Sequence, residues 1–284
     1  MKAPAFAYAK PRTLKEASVL LAQHGENARV LAGGQSLLAT LNMRLAAPEI
    51  LIDIGAIPGL EGITLKGKTL VIGARATHRA IEQSELVAKH APLLAQAAPH
   101  IAHVAIRNAG TLGGSVAMAD PAAEWPACCV ALEAQIVVAS STGERRIAAA
   151  AFFKDLYTTA LGAGELVTAV EFPCAATGER QVFLELVRRR GDYAIVGLAA
   201  RALQKGKTLS GLRLVYLGVG VTPVRAAGAM AALEGKAPTD DVLRTAQNAL
   251  DRDLAPEADL YTSAEAKRHL ARVLVARAVA ALAA

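Results

Sequence analysis

Two glycine-rich loops dominate the interpretation of this sequence. The first runs from Leu31 to Leu37 and the second from Asn108 to Ala117, and each sets glycines and a small hydroxyl residue directly before an apolar run. Glycine accepts positive φ and lets a ligand approach the backbone without a Cβ in the way. A helix start behind such a loop presents unpaired N–H groups and the positive end of the helix dipole. Two loops of this kind could hold a diphosphate from both sides.

Neither loop matches the common phosphate-binding fingerprints. The chain has no GxxxxGK(S/T) segment and no GxGxxG, and Gly218-Val219-Gly220 lacks the third glycine and the right context after its strand. Ordinary tight turns capped by serine and threonine are the alternative interpretation of both loops. The residues alone leave these two interpretations open.

Composition excludes several classes of protein. Of the 284 residues, 53% are hydrophobic and 20% are charged, which rules out a mainly disordered chain. The net charge of +6 suits an anionic ligand, an acidic partner or nucleic acid. Because the basic residues are dispersed, without interleaved aromatics, nucleic-acid binding or a scaffolding role is the weaker alternative. Arg188 to Arg190 form the one basic run, which is typical of a solvated face.

The cysteines and histidines predict no metal site in this chain. Cys128, Cys129 and Cys174 contain no CxxC spacing, so neither a disulfide framework nor an all-cysteine iron–sulfur cluster is expected. His100 and His103 lack a third ligand nearby. No apolar run approaches 18 residues. The opening apolar run has only the minimum length for a signal peptide and a capped helix follows at once, so we interpret it as mature sequence. We therefore expect a soluble, cytoplasmic protein.

Hydrophobic periodicity predicts an α+β fold in three parts. Residues 1–55 follow a helix–strand–helix–strand order, opened by a capping box at Thr13 and Glu16. Residues 56–177 begin with a hairpin, continue through two helices and an irregular segment at 106–126, and end in a helix and two strands. Residues 178–284 start with a three-stranded meander and finish in three helices.

Four segments carry a resemblance to a known family. They are FAYAKPRTLKEASVLLA, LAGGQSLLATLNMRLAAPEILIDI, IRNAGTLGGSVAMADPAAEWPA and RRRGDYAIVGLAA, in the family's order and spacing. The chain resembles the FAD-binding medium subunits of bacterial molybdenum hydroxylases, such as carbon monoxide dehydrogenase medium subunits and xanthine dehydrogenase FAD-binding subunits. The resemblance implies a two-part, PCMH-like, non-Rossmann FAD-binding fold, followed by a three-stranded antiparallel sheet with a helical bundle.

The resemblance also implies a set of FAD-binding residues. The first loop would wrap the pyrophosphate, and the second loop would form the other side of the phosphate and ribityl site. Asp120 and Glu124 would lie near the flavin or the ribose–adenine part, although acids opening a helix would look the same. Tyr193 would stack on the isoalloxazine ring. The loop residues expected to bind are Ala32, Gly33, Gly34, Gln35, Ser36, Leu37, Asn108, Gly110, Thr111, Gly114, Ser115 and Ala117.

Two positions depart from the family pattern. Relatives often carry histidine where this chain has Gln35, and many carry histidine where it has Met118. Glutamine keeps a donor and an acceptor at position 35 but loses the titratable ring. Methionine at position 118 puts any proton or polar role there in doubt and leaves the phosphate loop intact. No catalytic residue and no metal ligand is expected in this chain.

The function implied by the resemblance is electron transfer within a larger enzyme. A small partner subunit would carry two 2Fe–2S clusters, and a large partner subunit would hold the molybdenum–molybdopterin cofactor, in a dimer of heterotrimers. This chain would pass electrons from the clusters through FAD to an external acceptor. A stand-alone flavin oxidoreductase of the same fold is the alternative. The substrate and the acceptor stay open at this point.

The loop assignment yields a first prediction. Gly114→Val should abolish FAD retention, because a branched side chain would fill the space that the phosphate needs. Gln35→Ala should cost much less, because backbone donors provide most of the contact. Flavin absorbance after gel filtration measures both, and equal retention by the wild type and Gly114→Val would refute the assignment.

Overall fold

The computed structural model describes residues 2–284. Its first part is a three-stranded, all-parallel sheet in the order β1–β3–β2, with the two helices in the connections. The Thr13 hydroxyl caps the first helix by accepting from the Glu16 N–H, as the capping box predicts. The elements are β1 (Ala7–Ala9), α1 (Leu14–His24), β2 (Ala28–Leu31), α2 (Leu37–Asn42) and β3 (Ile50–Asp53).

The second part is an antiparallel five-stranded sheet, in the order β4–β5–β10–β6–β7, with helices packed against it. Short helices predominate because capping residues and prolines divide the chain repeatedly; Ser84, for example, caps the helix that follows it. The elements are β4 (Ile63–Lys66), β5 (Thr69–Gly73), α3 (His78–Glu82), α4 (Glu85–His90), α5 (Pro92–Ala97), α6 (Val104–Arg107), α7 (Leu112–Met118), α8 (Glu124–Ala131), β6 (Gln135–Ser140), β7 (Gly143–Ala148), α9 (Ala149–Phe152), β8 (Phe153–Asp155), β9 (Thr158–Thr159) and β10 (Leu166–Pro173).

The third part is an antiparallel sheet covered by three helices. The predicted meander and helices are confirmed, but the sheet has a fourth strand of two residues, so the expectation of three strands was wrong. Two residues carry no alternation that could reveal a strand. The elements are β11 (Glu179–Leu186), β12 (Val196–Lys205), β13 (Thr208–Leu217), β14 (Val224–Arg225), α10 (Ala227–Leu233), α11 (Asp240–Asp253) and α12 (Ala264–Ala283).

Helix α8 joins the second and third parts. Every residue in it is buried, since it packs against α5 and α7 on one side and against β12 and β13 on the other. A helix enclosed in this way is apolar all round, which explains its run of tryptophan, cysteine, alanine and valine. Cys128 and Cys129 are fully buried and unpaired, so they are small core residues as expected.

The segment 106–126 is more regular than the sequence suggested. The expectation of an irregular stretch was wrong, because α6 ends inside it and α7 and the start of α8 also lie there. Thr111 caps α7 through the Gly114 N–H at 3.2 Å, and Ala119 ends the helix in a left-handed conformation with φ of 53°. The seven residues of α7 include two glycines, and so short a helix has little periodicity to detect.

The edge strand β7 was also missed. It reads GERRIA, and only Ile147 of its residues is buried, so it shows no apolar alternation. Two arginines on it pair with glutamates instead: Arg145 with Glu165, and Arg146 with Glu171 at 2.8 Å. Charged side chains of this kind are common on edge strands, where they discourage pairing with other chains.

Two global features concern membranes and metals. Among residues 2–284, no helix is long and apolar enough to cross a membrane. Within the same residues, no cluster of three or more histidine, cysteine, aspartate or glutamate side chains could hold a metal ion.

A buried hydrogen bond between β13 and α12 gives a prediction about stability. The Tyr216 hydroxyl, fully buried, donates to the carbonyl oxygen of Ala271 at 2.9 Å. Tyr216→Phe should lower the free energy of unfolding by about 1 kcal/mol, the net worth of such a bond. Tyr261→Phe, at a side chain 78% exposed, is the control and should change little. Urea denaturation measures both, and equal effects would contradict the packing described here.

Candidate functional site

The two glycine loops meet and form one wall of a single large cavity. A Cβ added to Gly33 would collide with the carbonyl oxygen of Ala109, so the two backbones are in direct contact. The cavity beside them has a volume of about 530 Å³, within the range of pockets that bind cofactors. Its lining includes every residue expected to bind FAD except one. The exception is Asn108, which is exposed and ends α6.

The first loop supplies free backbone donors. It connects β2 to α2, and Gly34 takes a positive φ of 71°, which glycine adopts without strain. Within the described chain, the N–H groups of Gly34, Gln35 and Ser36 donate no hydrogen bond. Three adjacent free N–H groups facing a cavity form an anion-binding surface. The Gln35 amide donates to the Gly33 carbonyl at 3.0 Å, so this side chain braces the loop itself.

The second loop is held by the protein and offers fewer free donors. Leu112 and Gly113 donate their N–H groups to the carbonyls of Ala76 and Ala74, at 3.0 and 2.8 Å. The Gly114 N–H is used by the Thr111 cap. What remains for a ligand is the Ser115 hydroxyl, which makes no hydrogen bond to the described residues, and the open face at Gly114.

The glycines therefore have different physical roles. A Cβ at Gly110 would come within 2.7 Å of the His78 ring, and one at Gly113 within 2.5 Å of the Ala74 Cβ. Glycine at these two positions and at Gly33 is therefore required by close contacts within the protein. The sequence alone does not distinguish this requirement from the approach of a ligand. A Cβ at Gly114 would meet only the Thr111 hydroxyl within 3 Å and would otherwise face the cavity. Gly114 therefore has fewer close contacts within the protein than the other three glycines.

The two expected carboxyls also line the cavity and differ in environment. Asp120 accepts from the Ala122 N–H at 2.9 Å and so shapes the turn before α8. Glu124 is the first residue of α8 and is only 9% exposed. Burial, with a smaller contribution from the nearby charge of Asp120, raises the pKa of Glu124 to about 7. Glu124 consequently holds a proton over part of the neutral range.

Sequence reasoning missed several residues that line the cavity, among them His78 and Arg29. His78 opens α3 beneath Gly110, and its Nδ1 accepts from the Trp125 Nε1 at 2.8 Å. Burial, together with the charge of Arg107, lowers the pKa of His78 to about 4, so the ring is neutral. Arg29 brings a positive charge to the lining from β2. Neither residue stands in a motif, so no local signal marked them.

Tyr193 lies at the rim of the cavity. Its side chain is 72% exposed although it lines the opening together with Gly191 and Asp192. An exposed phenol at the mouth of a pocket can cover a planar ring that enters it. Met118, where relatives often carry histidine, also lines the cavity and is 36% exposed.

Fold and cavity together define a class of protein. The anion-binding loop follows a strand of a small parallel sheet, the opposing loop belongs to a separate α+β unit, and no Rossmann fingerprint is involved. Free N–H groups, a hydroxyl and a long cavity suit a dinucleotide cofactor held by its diphosphate. The class is that of non-Rossmann flavin-binding oxidoreductase proteins.

Comparison with known proteins gives the family. Residues 4–175 match the FAD binding domain in molybdopterin dehydrogenase, and residues 181–282 match the CO dehydrogenase flavoprotein C-terminal domain. The carbon monoxide dehydrogenase medium chain of Hydrogenophaga pseudoflava is 38% identical over 276 residues, which cover 97% of this chain and 96% of that one. The nicotine 6-hydroxylase medium subunit of Paenarthrobacter nicotinovorans is 37% identical over 279 residues, with 98% of both chains covered.

Solved structures agree with the sequence comparison. A chain of carbon monoxide dehydrogenase from Hydrogenophaga pseudoflava superposes with a TM-score of 0.97 at 39% identity, covering 99% of this chain and 98% of that one. The protein thus belongs to the family of FAD-binding medium subunits of molybdenum hydroxylases, and it is an oxidoreductase subunit. The resemblance seen in the sequence and the mixed α and β fold are confirmed.

The contact between the loops gives a prediction. Gly33→Ala should separate the two loops and greatly weaken FAD retention, because the added Cβ would overlap the Ala109 carbonyl. Gly62→Ala is a matched control, since its Cβ would meet nothing closer than 3.9 Å. Flavin content after gel filtration measures the effect. Equal flavin content in both variants would show that the loop contact does not shape the site.

Proposed function

We propose that this chain carries FAD between the two glycine loops and passes electrons from an iron–sulfur partner subunit to an external acceptor. The observation that carries the proposal is the row of free N–H groups at Gly34, Gln35 and Ser36, which line the same cavity as the Ser115 hydroxyl and Gly114. A diphosphate has the charge and acceptor oxygens that such a surface binds.

Different residues would then bind different parts of the cofactor. Gly34, Gln35 and Ser36 would donate backbone hydrogen bonds to the diphosphate, and Arg29 would add positive charge on the same side. Tyr193 would cover the isoalloxazine ring at the mouth, and its exposure would leave the ring edge reachable by an acceptor. FAD, when bound, supplies the chemistry of accepting electrons singly and releasing them singly or in pairs.

The partners in this proposal are a small subunit with two 2Fe–2S clusters and a large subunit with the molybdenum–molybdopterin cofactor, in a dimer of heterotrimers. The relatives are named as medium chains or medium subunits, which supports partners of other sizes. We also propose the division of the chain at residues 55 and 177, and a cytoplasmic location. The three unpaired cysteines are compatible with a reducing compartment.

This chain does not decide the substrate. Relatives of nearly equal identity are named for carbon monoxide and for nicotine, two unlike molecules. The determinants of the substrate would therefore lie on the large partner subunit. A quinone, a cytochrome, a ferredoxin, oxygen or NAD is each compatible as the acceptor.

A stand-alone flavin oxidoreductase is the alternative within the same fold. It would need its own substrate pocket with acid–base side chains next to the flavin. The second cavity of the described chain measures about 280 Å³ and is lined by Pro99, His100, Glu185, Val187, Arg190 and Gly191. Its two acid–base side chains, His100 and Glu185, do not line the larger cavity where the flavin would lie.

Purification of the native complex tests the proposal. A tag on this chain should bring down two other chains, and the complex should contain FAD, iron and molybdenum. Under anaerobic conditions, a substrate of the large chain should bleach the flavin absorbance. A tagged chain that contains FAD, remains alone and turns over a substrate by itself would establish the stand-alone alternative. A preparation without flavin would overturn the proposal.

A further inference from the structure

His78 is fixed beside the second glycine loop by its backbone and by its ring. Its N–H donates to the Gly110 carbonyl at 2.9 Å, and the preceding residue, Thr77, forms a β-bridge with Thr111. The ring edge that carries Nε2 and Cδ2 lies against Gly110, because a Cβ added to this glycine would come within 2.7 and 2.8 Å of the two atoms. The imidazole is thus held next to the loop, in the lining of the larger cavity.

The indole of Trp125 determines which nitrogen of this ring carries the proton. Its Nε1 lies 2.8 Å from the His78 Nδ1, and an indole N–H can only donate a hydrogen bond. Nδ1 must therefore be unprotonated in order to accept it, and the proton of the neutral ring must be on Nε2. Trp125 is fully buried in the first turn of α8, so its N–H has no solvent partner that could replace this bond.

The surroundings of the ring keep it neutral. Burial, and then the charge of Arg107, lowers the pKa of His78 to about 4. Arg107 is itself buried and is ion-paired with Glu82 at 3.0 Å, so its charge is fixed in place. A second proton on the ring would also have to displace the Trp125 N–H from Nδ1. At neutral pH the side chain consequently has one N–H donor, at Nε2, and no free acceptor.

The Nε2 donor has no partner within the protein. No residue among 2–284 accepts a hydrogen bond from it, although His78 as a whole is only 6% exposed. Nε2 is nevertheless not one of the fully enclosed unpaired side-chain atoms of these residues, so it keeps some accessible surface. Of the two cavities, His78 lines only the larger one. A buried donor without a protein partner is rare, and an acceptor in this cavity would satisfy it.

We infer that His78 donates a hydrogen bond from Nε2 to an acceptor atom of FAD in the larger cavity, and that Trp125 is the positioning residue that fixes the required tautomer. The inference rests on the proposed function, because it takes FAD as the occupant of this cavity. A neutral donor adds little to the attraction of the diphosphate charge. Its effect is to favour a ligand with an acceptor at one place, because any other ligand leaves the donor unpaired.

Two substitutions at position 78 separate the donor from the acceptor that Trp125 uses. Asparagine ends near the position of Nδ1, so His78→Asn keeps an oxygen that can accept from Trp125 and loses the donor at Nε2. Glutamine is one methylene longer, so its amide nitrogen can reach the position of Nε2, and His78→Gln keeps the donor. His90→Asn is the control for the loss of a histidine, because His90 ends α4 and lines neither cavity.

The fluorescence of Trp125 measures the binding of FAD. It is the only tryptophan of the chain, and a flavin in the cavity next to His78 would quench its emission by energy transfer. Titration of the FAD-free full chain with FAD should give a dissociation constant about 10-fold higher in His78→Asn than in the wild type, the equivalent of one hydrogen bond. His78→Gln and His90→Asn should stay close to the wild type. Equal affinity in His78→Asn and the wild type, or an equal loss in the asparagine and glutamine variants, would overturn the inference.

A second measurement is made on the wild type and does not depend on the folding of a variant. Nitrogen-15 NMR of the full chain labelled at histidine distinguishes a protonated from an unprotonated ring nitrogen, and the His78 signals are those missing from His78→Asn. Without FAD at neutral pH, we expect a protonated Nε2 and an unprotonated Nδ1. When FAD binds, the Nε2 proton should change its chemical shift and exchange more slowly with water. A proton on Nδ1, or an Nε2 proton that does not respond to bound FAD, would overturn the inference.

These outcomes separate the inference from the proposed function. FAD that binds with the same affinity to His78→Asn as to the wild type contradicts only the role of His78. A wild-type chain that takes up no FAD contradicts the proposed function instead. The NMR spectrum of the FAD-free chain decides in either case whether Nε2 carries the proton.

Discussion

The contact between two backbones, at Gly33 and at Ala109–Gly110, is the constraint on which the site depends. It joins the parallel three-stranded unit to the middle part of the chain, which otherwise folds around its own sheet. Only glycine at position 33 allows this approach. Because the loops touch, the free N–H groups of the first loop line the same cavity as Ser115 and Gly114 of the second. The lining of the cavity is thus built from two segments that are far apart in sequence.

Helix α8 is a buried element that places Glu124 in the lining of the cavity. It is enclosed between the middle helices and the C-terminal sheet, and the Trp125 indole ties it to His78 beneath the second loop. The same enclosure removes Glu124 from water and raises its pKa. Packing that stabilises the fold therefore also sets the protonation of the carboxyl that lines the site. The chemistry of the cavity and the stability of the core have one physical origin.

Local sequence signals predicted the parts of the structure that local interactions determine. The capping box at Thr13, the hairpin around Gly67 and the long meander strands follow from turn chemistry and alternation, and the structure confirms them. The edge strand β7 and the two-residue strand β14 were not predicted from the sequence, because neither has an apolar pattern. His78 and the pair of Glu185 with His100 could not be found either. The environment of each of these residues depends on partners that are distant in sequence, and only tertiary packing brings the partners close.

The most direct measurement is the cofactor content of the purified protein, determined by its visible spectrum and by chromatography of the flavin released with acid. We expect flavin absorbance bands and FAD close to one molecule per chain. A colourless protein that also fails to take up FAD from an excess in solution would contradict the proposal that FAD binds between the two loops. The free N–H groups of the first loop would then belong to an ordinary turn, and the cavity would need another ligand.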